Sequence, residues 1–150
     1  MKDKRLLIIG LDCAPPSLIF DRVDQLPHIK ELITRGIYGP LRSCDPPITI
    51  PAWMVMATGR DPGELGLYGF RHRKGYEYNK MWIANSTAVR ARTVWDYLGE
   101  QGKKSILVGV PPSYPPKPVT GELVSCFITP SKEKSYTYPE ELRTEIEERF

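Results

Sequence analysis

Asp12 and Thr49 are the side chains whose type and setting best suit chemistry. Asp12 closes the apolar run Leu6-Leu7-Ile8-Ile9-Gly10-Leu11. In open α/β sheets ligands bind outside the carboxyl ends of the strands. A carboxylate at such an end is a candidate ligand for a hard metal ion or part of a phosphate site; a turn or helix-cap aspartate is the alternative. A dinucleotide fold is disfavoured, because Gly10 stands alone without the G-x-G-x-x-G pattern. Thr49 sits in Pro46-Pro47-Ile48-Thr49-Ile50-Pro51-Ala52-Trp53. Proline fixes φ and stiffens the segment. The hydroxyl then lies near the start of a helix, where backbone N–H groups and the dipole favour anions. That suits a nucleophile attacking phosphorus. A plain helix cap, worth about 1 kcal/mol, is the other reading.

These side chains need elements to hold them. Residues 5–11 (RLLIIGL) form a continuous apolar run, as in a strand buried on both faces of a parallel sheet. Pro15-Pro16-Ser17 opens a helix with Ile19 and Val23 on one face. A second helix starts at Pro27, carries Ile29, Leu32 and Ile33, and stops at Gly36. A short strand is expected at 37–43, a stiff loop at 45–50 and an apolar helix at 51–58, closed by Gly59. Residues 60–75 read as an extended loop and 76–84 as an irregular strand. Thr93 caps a helix with Val94, Trp95 and Leu98, ended by Gly102. Strands at 104–110 and 122–128 flank a proline-rich connection, and Pro139 opens a last helix with Leu142, Ile146 and Phe150 on one face. Trp53, Trp95, Met54 and Met56 read as core residues. Strands alternating with helices predict an α/β fold with a mostly parallel sheet flanked by helices.

Composition narrows the class further. The chain has 150 residues, enough for one domain, with 41% hydrophobic and 26% charged residues, as in ordinary globular proteins. A net charge of +3 is mild; it favours anionic small molecules without implying nucleic acid. No apolar run reaches the roughly 20 residues that span a bilayer, and the start is too short for a signal core. A cytoplasmic location is therefore expected. The three cysteines, Cys13, Cys44 and Cys126, have neither disulfide-framework nor zinc-thiolate spacing.

Several stretches together resemble a known family. LLIIGLD, LPHIKELITRGIYGPLRS and PPITIPAWMVMATGRDPGELGLYGF, followed by TVWDYLGEQGKKSILVGVPPSYPP and FITP, are similar to the N-terminal half of the type I phosphodiesterase/nucleotide pyrophosphatase family. That family belongs to the alkaline phosphatase superfamily. The resemblance implies that residues 1–150 are the N-terminal part of an alkaline-phosphatase-like catalytic domain. It implies a metal-dependent hydrolase of phosphate esters, with a small phosphorylated substrate and a phospho-threonine intermediate. It implies two divalent metal ions, zinc first, with manganese or iron as alternatives. Asp12 and the Thr49 hydroxyl would bind the same ion. A threonine hydroxyl is a poor nucleophile at neutral pH and no histidine lies near it in sequence, so a bound cation is a reasonable activator.

The chain departs from that family at several points. Many relatives carry Phe-Pro-Asn-His after the nucleophile, where Ile50-Pro51-Ala52-Trp53 stands here. Ile50 cannot stack on a base, which counts against a nucleotide substrate. Leu65 replaces a histidine, and an asparagine that contacts phosphate falls near Phe70. Arg71 or His72 could take over that contact, although Arg71-His72-Arg73-Lys74 also reads as a solvated loop. A nucleic-acid patch is disfavoured, since no aromatic platform accompanies the run. Only His28 and His72 are present, neither matching the metal-ligand histidines of the family. The expectation is a fragment, inactive alone and prone to self-association through exposed apolar surface, with a non-catalytic α/β phosphate-binding or interaction module as the alternative.

Overall fold

The computed structural model describes residues 4–150. It divides into two compact units, Met1–Arg42 and Ser43–Phe150. Among the described residues no helix is long and apolar enough to cross a membrane.

In the first unit, α1 (Pro16–Phe20) and α2 (Pro27–Arg35) each begin with a proline, which has no N–H to leave unsatisfied there. A 3₁₀ turn, Val23–Gln25, joins them and takes up Val23, expected on the first helix. Lys30 reaches Asp24 at 2.6 Å, and the Phe20 and Tyr38 rings lie 5.6 Å apart. The strands expected at 5–11 and 37–43 are not formed. Both segments are irregular, and Leu6 (82%), Leu7 (80%) and Leu41 (94%) are exposed. An apolar run nominates a strand, but only a neighbouring strand supplies its hydrogen bonds.

The second unit is built on α3 (Thr49–Thr58). Ile50, Met54 and Ala57 fall one helical turn apart and are buried against Leu67, Ala84 and Val89. Full burial of a side chain of that size is worth about 1.5–3 kcal/mol. Trp53, Trp82 and Trp95 pack around this cluster. Met56, expected in the core, is exposed, because two positions along a helix from Met54 is the opposite side.

The Thr-Gly-x-x-Pro stretch turns one helix into the next. The Thr58 hydroxyl donates to the Met54 carbonyl at 2.6 Å and accepts from Arg60 N at 3.1 Å. Gly59 takes the left-handed φ of 67° that ends α3, its N–H donating to the Val55 carbonyl at 2.8 Å. Asp61 then caps α4 (Pro62–Leu65), accepting from Glu64 N at 2.9 Å. Residues 60–75 are therefore not one extended loop. They hold α4 and β1 (Arg71–Arg73), which pairs antiparallel with β2 (Met81–Ile83).

Beyond β2, α5 (Val94–Glu100) begins where the Asp96 carboxylate accepts from both the N–H and the hydroxyl of Thr93, each at 2.7 Å. β3 (Ser105–Val108) and β4 (Gly121–Val124) pair in parallel, and β5 (Thr137–Tyr138) adds antiparallel to β4. The architecture is mixed α/β, with small sheets and flanking helices. Among the described residues one of three strand pairings is parallel, short of the mostly parallel sheet expected. Gly121 has φ 130°, and its α-carbon faces Ser105 so closely that a Cβ there would collide with the Ser105 carbonyl oxygen. The last helix, α6 (Glu141–Arg149), half-buries Leu142 and Ile146, whereas Phe150 is exposed.

Candidate active site at the start of helix α3

Thr49 is the first helical residue of α3, not a residue ahead of the helix. The cap position belongs to Ile48, whose side chain has no polar atom, so the Thr49 hydroxyl is not spent on capping. The approach is stiff: the Asp45–Pro46 bond is cis, and Ile48 N donates to the Pro46 carbonyl at 2.9 Å. The Cys44 thiol donates to the same carbonyl at 3.2 Å. The next residues, Ile50 and Pro51, are buried and fix the helix start in the core. The first ladder bond is Ala52 N to the Ile48 carbonyl, 3.0 Å. The N–H groups of Thr49 and Ile50 thus precede the ladder and have no acceptor within the helix. Pro51 has none to offer. A half-buried hydroxyl and the N–H of Thr49 share the positive end of a ten-residue helix, while Ile50 is fully buried. That arrangement suits an anion.

The hairpin base lies beside this loop. A methyl group placed on Gly69 would be 3.8 Å from Ile48 Cδ1. His72 stacks on Trp82, centroids 4.6 Å apart and planes at 21°, and its Nε2 is 3.1 Å from the Gly69 carbonyl. The ring is half-buried, with one nitrogen engaged and its face covered. Arg71 lies on the opposite face of β1 from His72 and is exposed, as is Arg73, whose guanidinium sits 4.1 Å over the Tyr78 ring.

Asp12 belongs to the first unit. It is exposed, and its Oδ1 accepts from Cys13 N at 2.9 Å. Cys13 has φ 56°, a left-handed conformation uncommon outside glycine, so the chain turns sharply just after the carboxylate. A metal centre needs several donors together, and among the described residues no group of three or more His, Cys, Asp or Glu side chains could hold an ion. Asp12, in the first unit, and Thr49, in the second, each carry an oxygen donor.

One feature escaped the sequence. Phe70, at the hairpin base, and Phe127, three residues past β4, meet with centroids 6.1 Å apart, and both rings are exposed. Phe127 read as part of a strand, and nothing in the sequence relates it to Phe70, 57 positions earlier.

The second unit places the Thr49 hydroxyl at the positive end of α3. Residues 6–150 match the family model for type I phosphodiesterase / nucleotide pyrophosphatase, and the chain belongs to that family. The family implies phosphoric ester hydrolysis and is typically metal-dependent. Searches among curated proteins and among solved structures found no match.

Proposed function

We propose that this chain belongs to a metal-dependent phosphoric ester hydrolase in which Thr49 is the nucleophile. The observation that carries the reading is the placement of Thr49 at the first position of α3, with an unspent hydroxyl, in a chain matched by the family from residue 6 to residue 150. In the reaction, Thr49 Oγ attacks phosphorus and loses its proton as the Oγ–P bond forms and the bond to the leaving oxygen breaks. Water later cleaves the Oγ–P bond and restores the hydroxyl. The N–H group of Thr49 and the dipole of α3 are suited to the charge on the phosphoryl oxygens. A divalent ion held with the help of Asp12 and Thr49 would supply the fall in hydroxyl pKa that makes the attack feasible at neutral pH. Two ions, zinc first, with manganese or iron as alternatives, and a cytoplasmic setting complete the proposal.

The full-length natural polypeptide, assayed with bis-p-nitrophenyl phosphate, tests it. Thr49→Ala should lower turnover by at least ~10³, and Thr49→Ser should retain measurable activity. Near-normal turnover in Thr49→Ala would sink the assignment. Asp12→Asn should copurify with less metal than the unaltered protein, and equal metal by elemental analysis would leave Asp12 a turn residue.

A second reading, a phosphate-binding α/β module without catalysis, is favoured by the incomplete donor set among the described residues. On either reading residues 1–150 alone should neither turn over the diester nor hold stoichiometric metal.

A further inference from the structure

We propose that the β1–β2 hairpin is a docking surface for an anionic lipid bilayer, on which it lies without crossing. The hairpin would do so whether or not Thr49 is the nucleophile. Strand alternation gives it two faces. His72 and Trp82 stack on one of them, and Trp82 packs against the buried cluster. The other face carries Arg71 opposite Ile83 and Arg73 opposite Met81. All four of these side chains are exposed, Met81 by 49% and Ile83 by 56%. The turn beyond, where Lys74 N donates to the Lys80 carbonyl at 2.8 Å, adds Lys74, Tyr76 and Lys80, and Tyr76 is 100% exposed.

Charge and apolar surface coincide here. Residues 71–83 hold four cations and one carboxylate, so the hairpin accounts for the whole net charge of +3 and the remainder of the chain is balanced. Glu77 pairs with Lys80 at 2.9 Å, whereas Arg71 and Lys74 have no carboxylate partner among the described residues. Cations beside exposed apolar and tyrosine side chains suit the interface of a membrane. The cations meet lipid phosphates while Met81, Ile83 and Tyr76 enter the boundary with the acyl chains. A nucleic acid would take the cations and leave Met81 and Ile83 in water. The Tyr78 ring already has the Arg73 guanidinium 4.1 Å above it, so Tyr76 alone is left in the turn to stack on a base. A second copy would bring like charge against like charge. A folded protein partner needs roughly 20–30 residues a side, more than this thirteen-residue hairpin offers, whereas a bilayer fits any shape.

The test is cosedimentation of the full-length natural polypeptide with vesicles. One set is phosphatidylcholine alone; in the other about a quarter of it is replaced by phosphatidylglycerol. The protein should partition to the anionic vesicles and not to the neutral ones, and added salt should reverse the binding. Each cation near the surface contributes a factor of about five, so Lys74→Gln should weaken binding about fivefold, and Lys74→Gln combined with Arg73→Gln about 25-fold. Tyr76→Ser and Met81→Ser keep every charge, and each should weaken binding by about threefold or more, because an apolar side chain no longer enters the boundary. All four positions are exposed, so the melting curves of the variants should stay in place. No partition to the anionic vesicles, equal binding to the neutral ones, or undiminished binding in the double variant would overturn the proposal. Binding that ignores both Tyr76→Ser and Met81→Ser would reduce the hairpin to simple charge attraction, and tighter binding of a single-stranded oligonucleotide than of the vesicles would assign it to nucleic acid; either result overturns the proposal too.

Discussion

The two units treat similar sequence differently. Helix α3 and residues 6–11 are both short apolar stretches. In α3 the apolar side chains recur at helical spacing, and Ile50, Met54 and Ala57 share one buried face. In residues 6–11 the side chains are as apolar, yet Leu6, Leu7, Ile8, Ile9 and Leu11 are all at least 60% exposed. The difference lies in what each stretch needs. A helix closes its own hydrogen bonds and asks its surroundings only for an apolar surface. A strand asks for a second chain segment in register as well. The second unit also holds its turns with side chains, at Thr58, Asp61 and Thr93, whereas α1 and α2 begin with prolines and no side-chain cap.

Substitution can break that contrast. Met54→Ala should cost about 3 kcal/mol in urea denaturation, for a side chain 2% exposed leaves a cavity. Leu7→Ala, by the same measurement, should stay within about 0.5 kcal/mol. Similar costs for the two would mean that residues 6–11 are buried in solution. A smaller effect is expected at Thr93→Ala, which removes one of the two donors to Asp96; the melting curve should register about 1 kcal/mol. The least effect on stability, with a visible effect on association, belongs to Leu7→Ser. It should reduce self-association in sedimentation experiments while leaving the melting curve in place. Unchanged association would move attention to Ile106 and Val108, which are 72% and 70% exposed on β3.

Much of the helical framework was legible in the sequence, for physical reasons. Proline at a first turn marked α1 and α2; the Thr93 cap marked α5; Gly59 marked the end of α3. These are local signals, complete within a few residues. β3 and β4 were found too, although β4 ends at Val124 instead of 128. Local patterns could not supply the pairing. β5 is two residues long and exists only because Val124 and Leu123 face it. The hairpin was half seen, because Arg71-His72-Arg73 is as polar as any loop, and only the Trp82 face opposite His72 makes it a strand. At the site, Thr49 and Asp12 stood out by residue type and neighbours. Phe70 and Phe127 did not, since their meaning is a distance.

Gly121 sets how far substitution can go in the parallel pair. Its partner in register is Ser105, and the contact leaves no room for even one carbon atom. Every other amino acid at that position adds at least that carbon, and φ 130° is already a conformation side chains rarely adopt. The strands could then meet only by moving apart or by sliding. A slide of one residue would reverse which side of β4 faces the core and turn Leu123 outward. It would also carry the loop after Val124, and with it Phe127, about 3.3 Å along the strand direction. The Phe70–Phe127 contact would not survive such a shift, so an absent methyl group at one end of β4 governs the position of an aromatic ring beyond the other.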